Sequence, residues 1–288
     1  MKWPRTLRKA LLLLAAVVLL LSAWLAVSLL TLPSVAPLAD PRMSMEIAVK
    51  DWQKRDHRFV VGPRNPRWTQ YDAIPVALKK AVVAAEDAKF YRHEGVDYAA
   101  MKEAIQADLS KGRFARGGST ITQQLAKNLY LSREKTLTRK AKEIVLAWRM
   151  EDALTKRRIL ELYLNVVELG PMVYGVGHAS QYYFGKAPSA LTVRECALLA
   201  SMLPGPKVYD PYRKMDRVMR RSDRILRRMA AAGMIGEEEY RTALAEVPNL
   251  AGMERKVEKT LSAPPPEEPS PADPERAGPW QEGNGPKR

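Results

Sequence analysis

The chain has 288 residues and a formal net charge of +15, with one cysteine and three histidines. That length allows one large domain or two small ones, and the charge asks for an anionic partner: nucleic acid, a phospholipid surface or a phosphorylated substrate. Cys196 alone excludes a disulfide framework, and His57, His93 and His178 lack the spacing of metal ligands, so no zinc site is expected.

Lys2, Arg5, Arg8 and Lys9 form a basic flank over 1–9, ahead of an uncharged run from Ala10 to Leu32. At a rise of about 1.5 Å per residue this run is long enough to cross a hydrocarbon core of about 30 Å. A cleaved signal peptide has a shorter apolar region, so 10–32 reads as an uncleaved transmembrane anchor. The cations place the N-terminus in the cytoplasm and everything after Leu32 outside. A single-pass inner-membrane protein with an exported domain follows, and nucleic acid drops out as a partner.

Residues 33–65 read as a juxtamembrane linker, extended over Pro33 to Pro41, with one short strand at Phe59 to Val61. A folded domain is expected over 66–250. From Ser262 the chain is rich in Pro, Glu and Gly, so 262–288 reads as a disordered tail.

Pro75 is well placed to open the first helix of the domain. Leu78, Ala81, Val82 and Ala85 keep helical spacing and deliver two adjacent carboxylates, Glu86 and Asp87, followed by Phe90, His93 and Gly95. A carboxylate at a helix C-terminus, taken alone, reads as frayed and solvated. A second helix is predicted from Asp97, as N-cap, to Lys111. Its stripe is Tyr98, Met101, Ile105 and Leu109, and Gly112 stops it.

Gly117 and Gly118 permit close backbone approach to a ligand, and Thr120 with Gln123 spells a capping box. On the helix that follows, Ile121, Leu125 and Leu129 form the buried side. Thr120, Gln124 and Lys127 form a polar stripe beside the N-terminus, able to receive an anion if it is not merely solvated. The next helix, Glu134 to Leu154, carries Arg139, Lys140 and Glu143 one turn apart. That spacing suits either a surface ion pair or a partly inward face. A helix over Thr155 to Leu169 is stopped by Gly170. A Gly-rich aromatic loop, VYGVGHASQYYFGK, leads to a helix capped by Thr192 and Glu195, on which Cys196 is buried. The helix from Arg213 to Ala232 is strongly basic, its charge either solvated or turned to anionic lipid.

EDAKFYRHEG (86–95), GGSTITQQLAKN (117–128), RKAKE (139–143), RRILELYLNVVELG (157–170) and YGVGHASQYYFGK (174–186) occur in order. Together they resemble the motif set of the family 51 glycosyltransferases, the peptidoglycan glycosyltransferases of bacterial wall synthesis. The resemblance covers about Pro66 to Pro211. Class A penicillin-binding proteins carry a further transpeptidase domain, whereas this chain resembles the monofunctional members. The resemblance implies a mainly α, lysozyme-like glycosyltransferase domain behind an N-terminal transmembrane helix. It implies polymerisation of lipid II into β-1,4-linked glycan with inversion and release of undecaprenyl diphosphate. The implied partners are lipid II, the growing lipid-linked glycan, the membrane and other cell-wall synthesis proteins.

The resemblance also assigns roles. Glu86 is the general base, and Glu143 is the second carboxylate, steering the diphosphate or binding a metal. Lys127, Arg139 and Lys140 neutralise the diphosphate with Thr120 and Gln124 as neutral donors. Asp87, Phe90, His93 and Ser119 hold the site in shape. No cofactor is required, and a divalent ion (Mg or Mn) is an optional addition. The competing readings are a lysozyme-like hydrolase, which has no use for a cationic cluster, and an inactive scaffold, which has no use for both carboxylates.

Overall fold

The structure, a computed structural model, describes residues 5–51, 53, 55–111, 117–132, 134, 136–205 and 208–251. Helix α1 (Arg5–Leu30) contains a stretch, Leu11–Leu30, of mean hydropathy 2.6 with none of it buried against the protein. It is long and apolar enough to cross a membrane. Its last carbonyls do not go unpaired: the Arg149 guanidinium donates to Leu32 O at 3.3 Å and Leu29 O at 3.4 Å. A cation there also suits the negative end of the helix dipole.

The stretch after α1 is not the extended linker expected. Ala36–Ala39 forms a 3-10 turn with Leu38 fully buried, and Arg158 ties it down by donating to Leu38 O (2.8 Å) and Asp40 O (3.1 Å). An apolar side chain beside a buried guanidinium docks where a solvated linker would not. Next, β1 (Met45–Lys50) and β2 (Asp56–Val61) pair antiparallel from Met45↔Val61 to Lys50↔Asp56. The expected strand at 59–61 is longer, and it has a partner. Asp51 closes the hairpin, accepting from Gln53 N–H (2.8 Å) and Arg55 N–H (2.9 Å).

The domain proper is mainly helical: α2 (Val76–Glu86), α3 (Tyr98–Lys111), α4 (Ile121–Tyr130), α5 (Leu137–Ala153), α6 (Lys156–Val166), α7 (Val176–Phe184), α8 (Val193–Met202), α9 (Pro211–Ala231) and α10 (Glu237–Ala245). Helix α4 packs on α5 and α6, while α2 packs on α8 and α9. Leu78 and Val82 of α2, Ile121 and Leu125 of α4, Tyr163 of α6 and Leu198 of α8 meet in one buried core. The helix starts follow from capping chemistry. Thr120, Thr136, Thr155, Thr192 and Asp210 each accept a backbone N–H from the first turn, and Thr120–Gln123 and Thr192–Glu195 complete reciprocal boxes. Each such cap is worth about 1 kcal/mol.

Three expectations change. Helix α6 ends at Val166, and Glu168–Gly170 becomes β3, paired with β4 (Val173–Tyr174). The Gly-rich loop is mostly helix α7, because its glycines are caps. Gly175 sits at φ 78° before the helix and Gly185 at φ 66° after it, and a Cβ on Gly175 would meet Asn165 O at 2.5 Å. Tyr98, placed on the inner stripe of α3, is 61 % exposed. Cys196 is fully buried, as expected. Gly112 and the tail 262–288 lie outside the described residues.

Candidate active site

Glu86 is the last residue of α2, and packing of α2 in the core aims its side chain between α4 and α9. Its two oxygens have different partners. The Gln124 amide donates to Oε2 at 3.1 Å, and the Arg221 guanidinium stands 3.6 Å from Oε1. Gln124 is itself oriented, because its Oε1 accepts from the Tyr163 hydroxyl at 3.0 Å. Burial raises the pKa of Glu86 above the ordinary carboxylate value, while Gln124, Arg221 and Lys127 pull it back down. The frayed, solvated carboxylate that a bare helix end would suggest is not what the fold builds.

Asp87 is turned away from Glu86 and is architectural. Its carboxylate accepts the Ile121 N–H at 2.9 Å, closing the start of α4, and pairs with His93 Nε2 at 3.0 Å. A carboxylate at a helix N-terminus satisfies an orphan donor and opposes the dipole. Phe90 is fully buried beneath this turn, and Lys156 Nζ lies 4.7 Å over its ring while donating to Glu151 at 2.8 Å. Asp87, with His93 beside it and Phe90 beneath, thus ties the end of α2 to the start of α4.

Thr120 differs from expectation. Its hydroxyl proton goes to Gly95 O at 2.6 Å and its oxygen accepts Gln123 N–H at 3.2 Å, so it builds the helix start rather than offering a donor to a ligand. Gln124 likewise uses its amide on Glu86 and Tyr163. Gly118 is needed for packing rather than for a ligand, since a Cβ there would meet Ala104 of α3 at 2.9 Å. Gly117, at φ 145°, has open space where its Cβ would be.

The second carboxylate, Glu143, is 3 % exposed on the inner face of α5. Arg139 bridges one of its oxygens, and Lys140 Nζ lies 3.1 Å from the other. Lys140 also donates to Ser119 Oγ at 2.8 Å and Gln123 Oε1 at 3.3 Å, joining α5 to the start of α4. Burial, with the nearby Arg139 and Lys127 charges, pushes the Lys140 pKa down to about 8. This is no surface ion pair. Glu143 has its oxygens engaged by two cations, and among the described residues no group of three or more His, Cys, Asp or Glu could hold a metal. Within the described residues, Glu143 is therefore set among cations rather than among further carboxylate or imidazole ligands.

A cleft of about 220 Å³ opens beside Glu86, floored by Asp87, Lys89 and Asp97 and walled by Gly117, Ser119 and Thr120. Lys140 thus reaches the start of α4, while Lys127, in the last turn of that helix, is near enough to act on the charges of both Glu86 and Lys140. Two participants escape a motif reading, Arg221 and Tyr163. Tyr163 stands in the LELYLNVVELG stretch and could be suspected. Arg221 is one arginine among many on α9, and only the pairing of α2 with α9 singles it out.

The transglycosylase family profile matches residues 55–230. A biosynthetic peptidoglycan transglycosylase of Nitrosospira multiformis is 46 % identical over 168 residues, 58 % of this chain and 73 % of that one. One from Nitrosomonas eutropha is 40 % identical over 226 residues, 78 % of this chain and 91 % of its own length. Penicillin-binding protein 1A of Escherichia coli is 40 % identical over 220 residues, which are 76 % of this chain but 26 % of that protein.

Proposed function

The chain belongs to the transglycosylase family and is a peptidoglycan glycosyltransferase; from that premise we propose that it polymerises lipid II with Glu86 as general base. The observation that carries the reading is the environment of Glu86: a carboxylate only 11 % exposed at a cleft wall, held by Gln124 and Arg221, with Lys140 joined to the facing loop through Ser119. The acceptor is the 4-hydroxyl of lipid II. Its oxygen attacks the anomeric carbon of the growing lipid-linked glycan as its proton passes to Glu86. The carbon–oxygen bond to the diphosphate breaks on the opposite face, and undecaprenyl diphosphate leaves with the electron pair. Configuration inverts to a β-1,4 linkage.

Each group suits its task. Burial raises the proton affinity of Glu86 above that of an ordinary carboxylate, and a general base contributes about 10²–10⁴-fold. The leaving diphosphate needs charge rather than a proton, and Lys127, Arg139 and Lys140 supply it. Glu143 holds Arg139 and Lys140 in place until the substrate arrives. The domain works outside the cytoplasmic membrane, with α1 as its anchor and the N-terminal basic flank on the cytoplasmic side.

A raised glutamic acid would also serve a hydrolase, which needs a protonated acid at the leaving oxygen. Three cations about the site favour the transferase, because a sugar leaving group has no charge for them to hold. Purified protein incubated with lipid II should yield lysozyme-sensitive polymer, and Glu86→Gln should lower its rate about a hundredfold. Cleavage of finished glycan without polymer growth would overturn the proposal.

A further inference from the structure

We propose that Arg221, on α9, is a positioning residue for the reaction: with Gln124 it holds the Glu86 carboxylate in the orientation that receives the acceptor proton. The inference rests on Glu86 being the base. Arg221 lies at the edge of the buried stripe formed by Val218, Ser222 and Ile225, which sets its side chain along α2 rather than into solvent. Its guanidinium carbon is 5.3 Å from the centre of the Tyr209 ring and one nitrogen is 3.6 Å from Glu86 Oε1. The stacking restricts the planar group, so its position is set before substrate binds. Its neighbours on the helix differ. Arg217, Arg220 and Arg224 are exposed, whereas Arg221 is 21 % exposed at the side chain and its buried Nε has no protein partner.

Charged or polar groups act on Glu86 from several elements: Asp87 beside it, Gln124 and Lys127 from α4, Tyr163 from α6 and Arg221 from α9, with Lys89, Asp97 and Glu103 lining the same cleft. Gln124 fixes one oxygen but brings no charge. Asp87 favours the protonated form, and burial does the same. Arg221 brings a cation to 3.6 Å from the carboxylate, and it approaches the oxygen that Gln124 does not. Orientation and ionisation are thus supplied by different elements, which makes the α2–α9 contact part of the chemistry.

The test uses Arg221→Met, Arg221→Gln and Arg221→Lys in the full chain, with lipid II polymerisation followed across pH. For Arg221→Met and Arg221→Gln, kcat at neutral pH should fall about tenfold with KM little changed. The acid limb of kcat/KM should move up by about one pH unit, as expected on losing an opposite charge within a few ångströms. Arg221→Lys should restore most of the limb's position. In a Glu86→Gln background the same substitutions should cost little more, because the group they act on is gone.

A raised KM with an unmoved acid limb would make Arg221 a substrate ligand and overturn the proposal. So would a lowered Tm with an unchanged pH profile, which marks a packing role. Should Arg221→Met not fold, Arg221→Gln and Arg221→Lys carry the same comparison. Near-normal turnover by Glu86→Gln alone would instead remove the base reading, a failure separate from that of Arg221.

Discussion

Glu86 and Lys140 both carry their charge where burial opposes it, and the two are perturbed toward each other. The Glu86 carboxyl has a raised pKa, so the folded protein binds its proton more tightly than the unfolded chain does. Stability is therefore lost as pH rises from the ordinary value of 4.5 through the folded pKa. Glu86→Gln should then raise Tm at neutral pH while lowering turnover, and its advantage should vanish below about pH 4. Lys140 has the opposite bias. Its folded pKa of about 8 lies below the unfolded 10.5, so between these values the unfolded state binds more protons and stability rises with pH. If its charge is needed at the diphosphate, kcat/KM should decline above about pH 8 although the protein grows no less stable. Lys140→Arg should move that alkaline limb upward, and a limb unchanged in the arginine variant would clear Lys140 of the role. The carboxylates and cations were legible in the sequence because they stand in short contiguous motifs. Arg221 was not, since its meaning comes from a contact between α2 and α9, remote in the chain.

The elements carry a similar division. Helices with an apolar period and a capping residue, such as α4 behind Thr120 and α8 behind Thr192, could be placed from sequence at their starts. The β1–β2 hairpin was half missed. Met45, Ile47 and Val49 do alternate with Glu46, Ala48 and Lys50, but a six-residue strand with charges on its outer face is a faint signal beside a membrane anchor. Helix α7 was missed for a different reason: its flanking glycines, read as loop formers, are the N-cap and the left-handed C-cap. Thr120 shows how an element can absorb a residue that a motif assigns to a ligand. With its hydroxyl shared between Gly95 O and Gln123 N–H, Thr120→Ala should cost about 1–2 kcal/mol of stability, while Thr120→Ser should retain most of it. KM for lipid II should stay near wild type in the protein that remains folded. A several-fold rise in KM at unchanged Tm would return Thr120 to the diphosphate.

At the scale of the molecule, the anchor and the domain are joined mechanically, and that joint gives the orientation a test. The end of α1 is held by Arg149 of α5, and the next turn is held by Arg158 of α6, so the domain cannot lie far from the surface where α1 emerges. In the proposed orientation, with the basic flank before α1 in the cytoplasm, that surface is the outer one. Cys196 is fully buried and would confuse little, but Cys196→Ala removes it from consideration. In that background, Glu238→Cys on the exposed face of α10 should label with an impermeant thiol reagent in intact cells, or in spheroplasts where an outer membrane blocks access. Thr6→Cys, exposed ahead of the apolar stretch, should stay protected until the inner membrane is broken. The reverse pattern would invert the protein. Labelling of both sites in intact cells would mean the barrier was never sealed, and a control cytoplasmic thiol protein would reveal it. With Glu238→Cys exposed and Thr6→Cys protected, the proposed reaction at Glu86 would take place on the outer face of the membrane, where a donor glycan carried on a lipid diphosphate already holds its own leaving group.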